Sequence, residues 1–128
     1  MAVTSLTEAR ALLFAALDVA GVNATAVTKV YDHEPRVAET AVPAIVTIFA
    51  TGFDPNEWLY QFAVRIYYET KSTAPSTVQH DMDVIIEAVD DAIAAAGRVG
   101  PVVWTIGFAD NLDALVAESD VTIGREDL

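Results

Sequence analysis

Cysteine is absent from this sequence of 128 residues. Disulfide bonds, thiolate metal sites and a cysteine nucleophile are therefore excluded. A chain of this length is typical of one domain, and such a domain can bury a substantial core without covalent cross-links. We therefore expect residues 1–128 to form a single domain that is stabilised by its apolar core.

Positively charged side chains are scarce, since 7 Lys and Arg stand against 19 Asp and Glu, for a net charge of −12. A chain this acidic repels phosphates, so we do not expect stable binding to nucleic acid. Two interpretations of the acidity stay open. It can keep an alanine-rich protein in solution, and it can let DNA pass a surface without adhering to it.

Long apolar runs are also missing, and none approaches the roughly 20 residues that a membrane-spanning helix needs. The N-terminal residues include no basic segment of the kind that opens a signal peptide, and Arg10 and Asp18 interrupt the apolar stretch after them. We therefore expect no membrane partner, and a soluble protein that stays where it is made or joins an assembly formed there.

Catalytic motifs are missing as well, including G-x-S-x-G, the Walker pattern and G-x-G-x-x-G. His80 and Asp83 could share a helix face and bind a metal, but a solvated acidic helix start explains them better. Asp32, His33 and Glu34 could form a base with its orienting group, but a solvated loop explains them better. We therefore identify no catalytic residue and expect no metal and no cofactor.

The clearest pattern present is a hairpin in residues 42–70, in which two strand-like runs flank a polar loop at residues 51–57. The first run is apolar on both faces, which predicts a central strand. The second run is apolar at alternate positions: Trp58, Tyr60, Phe62, Val64, Ile66 and Tyr68. Its other face is mixed in character, so we expect that face to be exposed or covered by another copy of the chain.

Two stretches have the periodicity of amphipathic helices. The first, residues 6–20, begins at a capping-box pattern formed by Ser5 and Glu8. The second, residues 76–96, begins at a similar S-x-x-Q pattern at Ser76. Further strands are predicted over residues 26–32, 102–108 and 114–125.

The predicted order is helix, strand, strand, strand, helix, strand, strand. This order predicts an α+β domain of two layers, in which one mainly antiparallel sheet carries two helices on one face. Each helix has a single apolar stripe, which fits packing against one layer.

Four segments together resemble the tail terminator (tail completion) proteins of long-tailed bacteriophages. They are the capped helix ending at GVNAT, the TKVYDHEP strand with its proline loop, the hairpin AVPAIVTIFATGFDPNEWLYQFAVRIYYET, and the second helix followed by PVVWTIGF and the last strand. The resemblance covers nearly the whole chain.

The resemblance implies a structural virion protein without enzymatic activity or cofactors. Such proteins form a hexameric ring that caps the tail tube, ends tail growth and presents a surface for head attachment, with a central opening for DNA. The implied partners are further copies of the chain, the tail tube protein and the head–tail connector protein, while DNA passes without specific binding. The implied location is the tail–neck junction of the virion, and the host cytoplasm during assembly.

Candidate interface residues come from two sources. Arg65 and Tyr67 lie on the mixed face of the hairpin, and their residue types are enriched at protein interfaces. The family makes its contacts through loops, which points here to residues 32–42, residues 51–57 and the C-terminal end. The candidates from these loops are Arg36, Phe53, Asp54, Glu57 and Arg125. Two alternatives stay open, namely a head–tail connector of the virion and a small α+β domain with an aromatic-lined ligand pocket.

Overall fold

The computed structural model describes residues 5–19, 22, 25, 27–33, 44–54, 56, 59–71, 74–96, 103–109 and 114–124. Its elements follow the predicted order and belong to the α+β class, as expected. They are helix α1 (Leu6–Leu17), strands β1 (Val27–Tyr31), β2 (Ala44–Asp54) and β3 (Leu59–Glu69), helix α2 (Pro75–Ala95), and strands β4 (Trp104–Ala109) and β5 (Ala114–Gly124).

The five strands form one sheet in the order β1-β2-β3-β5-β4. Strand β1 pairs with β2 in parallel, whereas the other three pairs are antiparallel, so the sheet is mainly antiparallel as predicted. Strands β2 and β3 form the predicted hairpin. Strands β1 and β4 are the two edges, a placement that the sequence pattern did not specify.

Both helices pack against one face of this sheet. Strand β3 contributes the predicted alternate residues from Tyr60 to Tyr68, all buried, while Trp58 lies outside the described residues. The helices contribute one stripe each: Ala9, Leu13 and Leu17 from α1, and Val78, Met82, Ile85, Val89 and Ile93 from α2. Full burial of one such large side chain stabilises the fold by about 1.5–3 kcal/mol.

Strand β2 confirms one prediction and corrects another. Its first half is buried on both faces, as expected of a central strand. The strand then continues to Asp54, so most of the loop predicted at residues 51–57 is β-structure. A register shift between Ala50 and Gly52 lets the strand carry turn-forming residues, because a bulge accommodates one unpaired residue. Beyond it, Phe53 lies opposite Tyr60.

The two predicted capping boxes differ in outcome. At the start of α1 the amide of Glu8 donates to Ser5 Oγ over 3.1 Å, as predicted. The prediction at Ser76 is wrong, since α2 begins at Pro75 and its N-cap, Ala74, makes no side-chain hydrogen bond. Proline has a fixed φ suited to the first helical position and no N–H to satisfy there, so the helix begins without a side-chain cap.

These two serines give a matched test of the capping assignment. Ser5→Ala should lower the free energy of unfolding by about 1 kcal/mol, because it removes the oxygen that accepts from the Glu8 amide. Ser76→Ala should be neutral or stabilise by roughly 0.5 kcal/mol, because alanine is the better helix former. Urea denaturation of both variants measures this. Equal losses for the two variants would contradict the assignment.

Candidate functional site

The edge strand β4 exposes large apolar side chains. Ile106 is 55% exposed and Phe108 is 70% exposed, while Val103, the residue just before the strand, is 73% exposed; we call these three residues the β4 strip. Ile106 and Phe108 are opposite the buried Ala117 and Leu115 of β5, so they project toward the face that carries the helices. Apolar side chains on a sheet edge are characteristic of a surface that another chain covers.

The helix layer reaches β4 only at its first residue, Trp104, which packs against the core. Helix α1 packs over β1 and β2, and helix α2 packs over β3 and β5. Between α2 and β4 lies an open groove of about 310 Å³. Its lining residues come from three elements: Gln79, Met82 and Asp83 from α2, Ile106, Gly107 and Phe108 from β4, and Leu115 from β5.

Two hydrogen bonds fix the wall of this groove. Near the start of α2, the Tyr68 hydroxyl donates to Asp81 Oδ2 over 2.6 Å. Further along, Trp104 Nε1 donates to Asp90 Oδ1 over 3.3 Å, which joins α2 to the first residue of β4. The groove is therefore held open by anchored elements on both sides.

Burial and the hydrogen bond to Asp81 raise the pKa of Tyr68 to about 12, with burial as the larger cause. The Tyr68 side chain is only 2% exposed, so its phenolate would lose hydration as well as repel the neighbouring carboxylate.

Helix α2 gives the groove an acidic border. The helix carries five carboxylates and no Lys or Arg: Asp81, Asp83, Glu87, Asp90 and Asp91. Within the described ranges no three His, Cys, Asp or Glu side chains come together as a metal site would require. His80 is exposed on this helix. The helix that borders the groove is therefore acidic, and Asp83 is the carboxylate that lines the groove itself.

The opposite face of the sheet holds the first two interface candidates. Arg65 Nε bonds Glu118 Oε2 over 2.6 Å, across the β3–β5 pair, and its guanidinium also lies 5.9 Å from the centre of the Phe49 ring. An ion pair this exposed contributes about 0.2–1 kcal/mol. Tyr67 is half-buried on the same face, opposite Val116. Arg65 is therefore engaged within the chain, and its role in an interface stays a prediction.

The remaining candidates fall into two groups. Phe53 is 43% exposed and stacks on Tyr60 with ring centres 5.0 Å apart, while Asp54 Oδ1 accepts from the Asn56 amide over 2.9 Å. Both belong to the end of β2 rather than to a loop. Arg36, Glu57 and Arg125 lie outside the described residues.

The pair considered as a base and its orienting group lies on the surface after β1. His33 Nδ1 and Asp32 Oδ1 are 2.8 Å apart, and each side chain is 60% exposed. The hydrogen bond from His33 lowers the pKa of Asp32. A shallow hollow of about 300 Å³ adjoins them, and Arg10 and Phe49 contribute to its lining. Glu34 lies outside the described residues.

Sequence reasoning did not find the β4 strip as a site. The alternation of apolar residues in β4 resembles that in β5, yet β5 is interior to the sheet and β4 is not. Periodicity identifies a strand and its faces but does not give its place in the sheet, which depends on pairing between distant segments. The exposure of Ile106 and Phe108 could therefore not be predicted from the local sequence.

Comparison with models of known protein families gives no match, and no curated protein matches the chain significantly. Among the described residues, no helix is long and apolar enough to cross a membrane.

The Tyr68 hydrogen bond makes a testable contribution to stability. Because the folded pKa of Tyr68, about 12, exceeds its ordinary value of 10.0, its stabilisation is complete below pH 10 and is lost as the pH rises toward 12. In Tyr68→Phe the free energy of unfolding should fall less steeply over this interval. Asp81→Asn should keep part of the slope, because burial of Tyr68 remains. Equal slopes for wild type and Tyr68→Phe would contradict this.

Proposed function

We propose that this protein is a tail terminator of a long-tailed phage, a structural protein that forms a ring on the tail tube and ends its growth. The observation that carries the proposal is the β4 strip on the edge of the sheet. Two large exposed apolar side chains on an edge strand, with a third just before it, favour a protein that works by assembly with other chains.

The contacts needed for a ring differ from those of a simple dimer. A ring requires each subunit to present two different surfaces that fit one another, and closes only if the rotation between neighbours permits it. The sheet of this chain has two unlike edges, β1 and β4. An asymmetric subunit of this kind is suited to head-to-tail assembly.

The charge of the chain is compatible with the transit of DNA. With a net charge of −12, an opening bordered by this protein would repel phosphates instead of retaining them. An exposed apolar edge does not by itself distinguish a tail tube from other partners. We choose the tail tube because the sequence pattern resembles that of tail terminators.

The proposal is tested by electron microscopy of the purified protein, alone and with tail tubes. We expect rings with a central hole and tubes that stop lengthening once the protein is added. Ile106→Glu should abolish ring formation, because a charge in the β4 strip cannot be covered by an apolar partner. The matched control is Val84→Glu on the outer surface of α2, where the native valine is 43% exposed and lies outside the groove.

Three results would contradict the proposal, and each points elsewhere. Failure to form rings at any concentration, with or without tubes, would exclude a terminator. Association with the capsid portal instead of the tube would indicate a head–tail connector. A marked rise in melting temperature with a small metabolite, abolished by Ile106→Glu, would indicate that the groove is a ligand pocket.

A further inference from the structure

We infer that the groove beside β4 is completed by a second copy of this chain, whose β1 edge adds to β4 and whose helix α1 covers Ile106 and Phe108. The inference rests on the proposed ring and names the two surfaces that would form it. The strand that pairs with β4 is β1 of the neighbouring subunit, rather than a second copy of β4.

The directions of the strands suit this pairing. Counting from β2 across β3 and β5, each pair is antiparallel, so β4 runs opposite to β2. Strand β1 runs parallel to β2 and therefore opposite to β4. If a neighbouring sheet continues this one in the same orientation, its β1 meets β4 in antiparallel pairing. Edge strands carry unpaired backbone groups that such an addition satisfies.

In this arrangement a helix also lies on each side of β4. Helix α1 lies over β1 and β2, at the edge of the sheet remote from β4, while the strand left without a helix above it is β4. Strands are about 4.8 Å apart and packed helices about 8–10 Å, so one helix covers roughly two strands. A neighbour joined through β1 would bring its α1 to about three strand spacings, roughly 14 Å, from α2, and Ile106 and Phe108 would fill the gap between the two helices.

Charge favours this occupant over a second β4 edge. A symmetric β4–β4 contact would make α2 of one copy face α2 of the other across the two β4 strands, each helix with five carboxylates and no Lys or Arg. Helix α1, which the β1 edge brings toward α2, carries one carboxylate, Glu8, and one guanidinium, Arg10, and so has no net charge. The β1 contact therefore avoids the like-charge repulsion that opposes the symmetric one.

Cysteine cross-linking tests the inference directly, because the natural chain contains no cysteine. Thr105 of β4 and Lys29 of β1 are both exposed, and both project from the sheet face opposite the helices. Thr105→Cys and Lys29→Cys are prepared separately, mixed, and treated with a short bis-maleimide.

We expect a covalent dimer in the mixture and none in either separate sample. The double variant should give a ladder of covalent oligomers. Glu87→Cys, on the outer surface of α2, replaces Thr105→Cys as the control and should give no dimer with Lys29→Cys.

Two outcomes would overturn the inference. Dimers from Thr105→Cys alone would indicate the symmetric β4 contact, and the absence of dimers in the mixture at any concentration would exclude the β1–β4 contact. Failure of the proposed function is distinguishable from both. If micrographs show rings but Lys29→Cys and Thr105→Cys do not cross-link, the ring is supported and the β1–β4 contact is contradicted. If the cross-link forms but the protein never binds tail tubes, the β1–β4 contact is supported and the function as a tail terminator is contradicted.

Discussion

The structure depends on a difference in width between its two layers, since the layer of two helices is narrower than the five-stranded sheet. A helix about 10 Å across covers roughly two strands spaced about 4.8 Å apart, so two helices cover about four strands. This sheet has five strands, and β4 is uncovered beyond its first residue, Trp104. The consequence is an edge strand that presents Ile106 and Phe108 beside an open groove, while the equivalent residues of β5 are buried by α2.

The distribution of charge acts on this uncovered edge. Helix α2 borders the groove with carboxylates, and two of them are used within the chain, by Tyr68 and Trp104. The first joins α2 to β3 and the second joins α2 to the start of β4. The acidic border restricts what can cover the apolar residues, because a partner with a negative surface would be repelled. Specificity for a partner can therefore come from α2 while the apolar contact comes from β4.

The sequence predicted most of the local structure but not the arrangement of the strands. Alternation in β3 identified the buried face from Tyr60 to Tyr68, and the Ser5 cap was found because a capping box is a short-range pattern. The Ser76 cap was wrong since Pro75 begins the helix one residue earlier. Properties that depend on distant pairing could not be predicted, as shown by the parallel β1–β2 pair and by the Arg65–Glu118 ion pair, whose members are 53 residues apart. The exposure of the β4 strip belongs to the same class.

The central claim is that β4 is open in the isolated chain and covered in the assembly. Hydrogen exchange of the backbone amides measures this most directly, in dilute protein and in protein bound to tail tubes. The outward amides of Trp104–Ala109 should exchange rapidly in dilute protein and become protected on assembly, while those of β3, paired on both sides, should exchange slowly in both samples. Slow exchange of β4 in the dilute monomer, or unchanged exchange after assembly, would contradict the account.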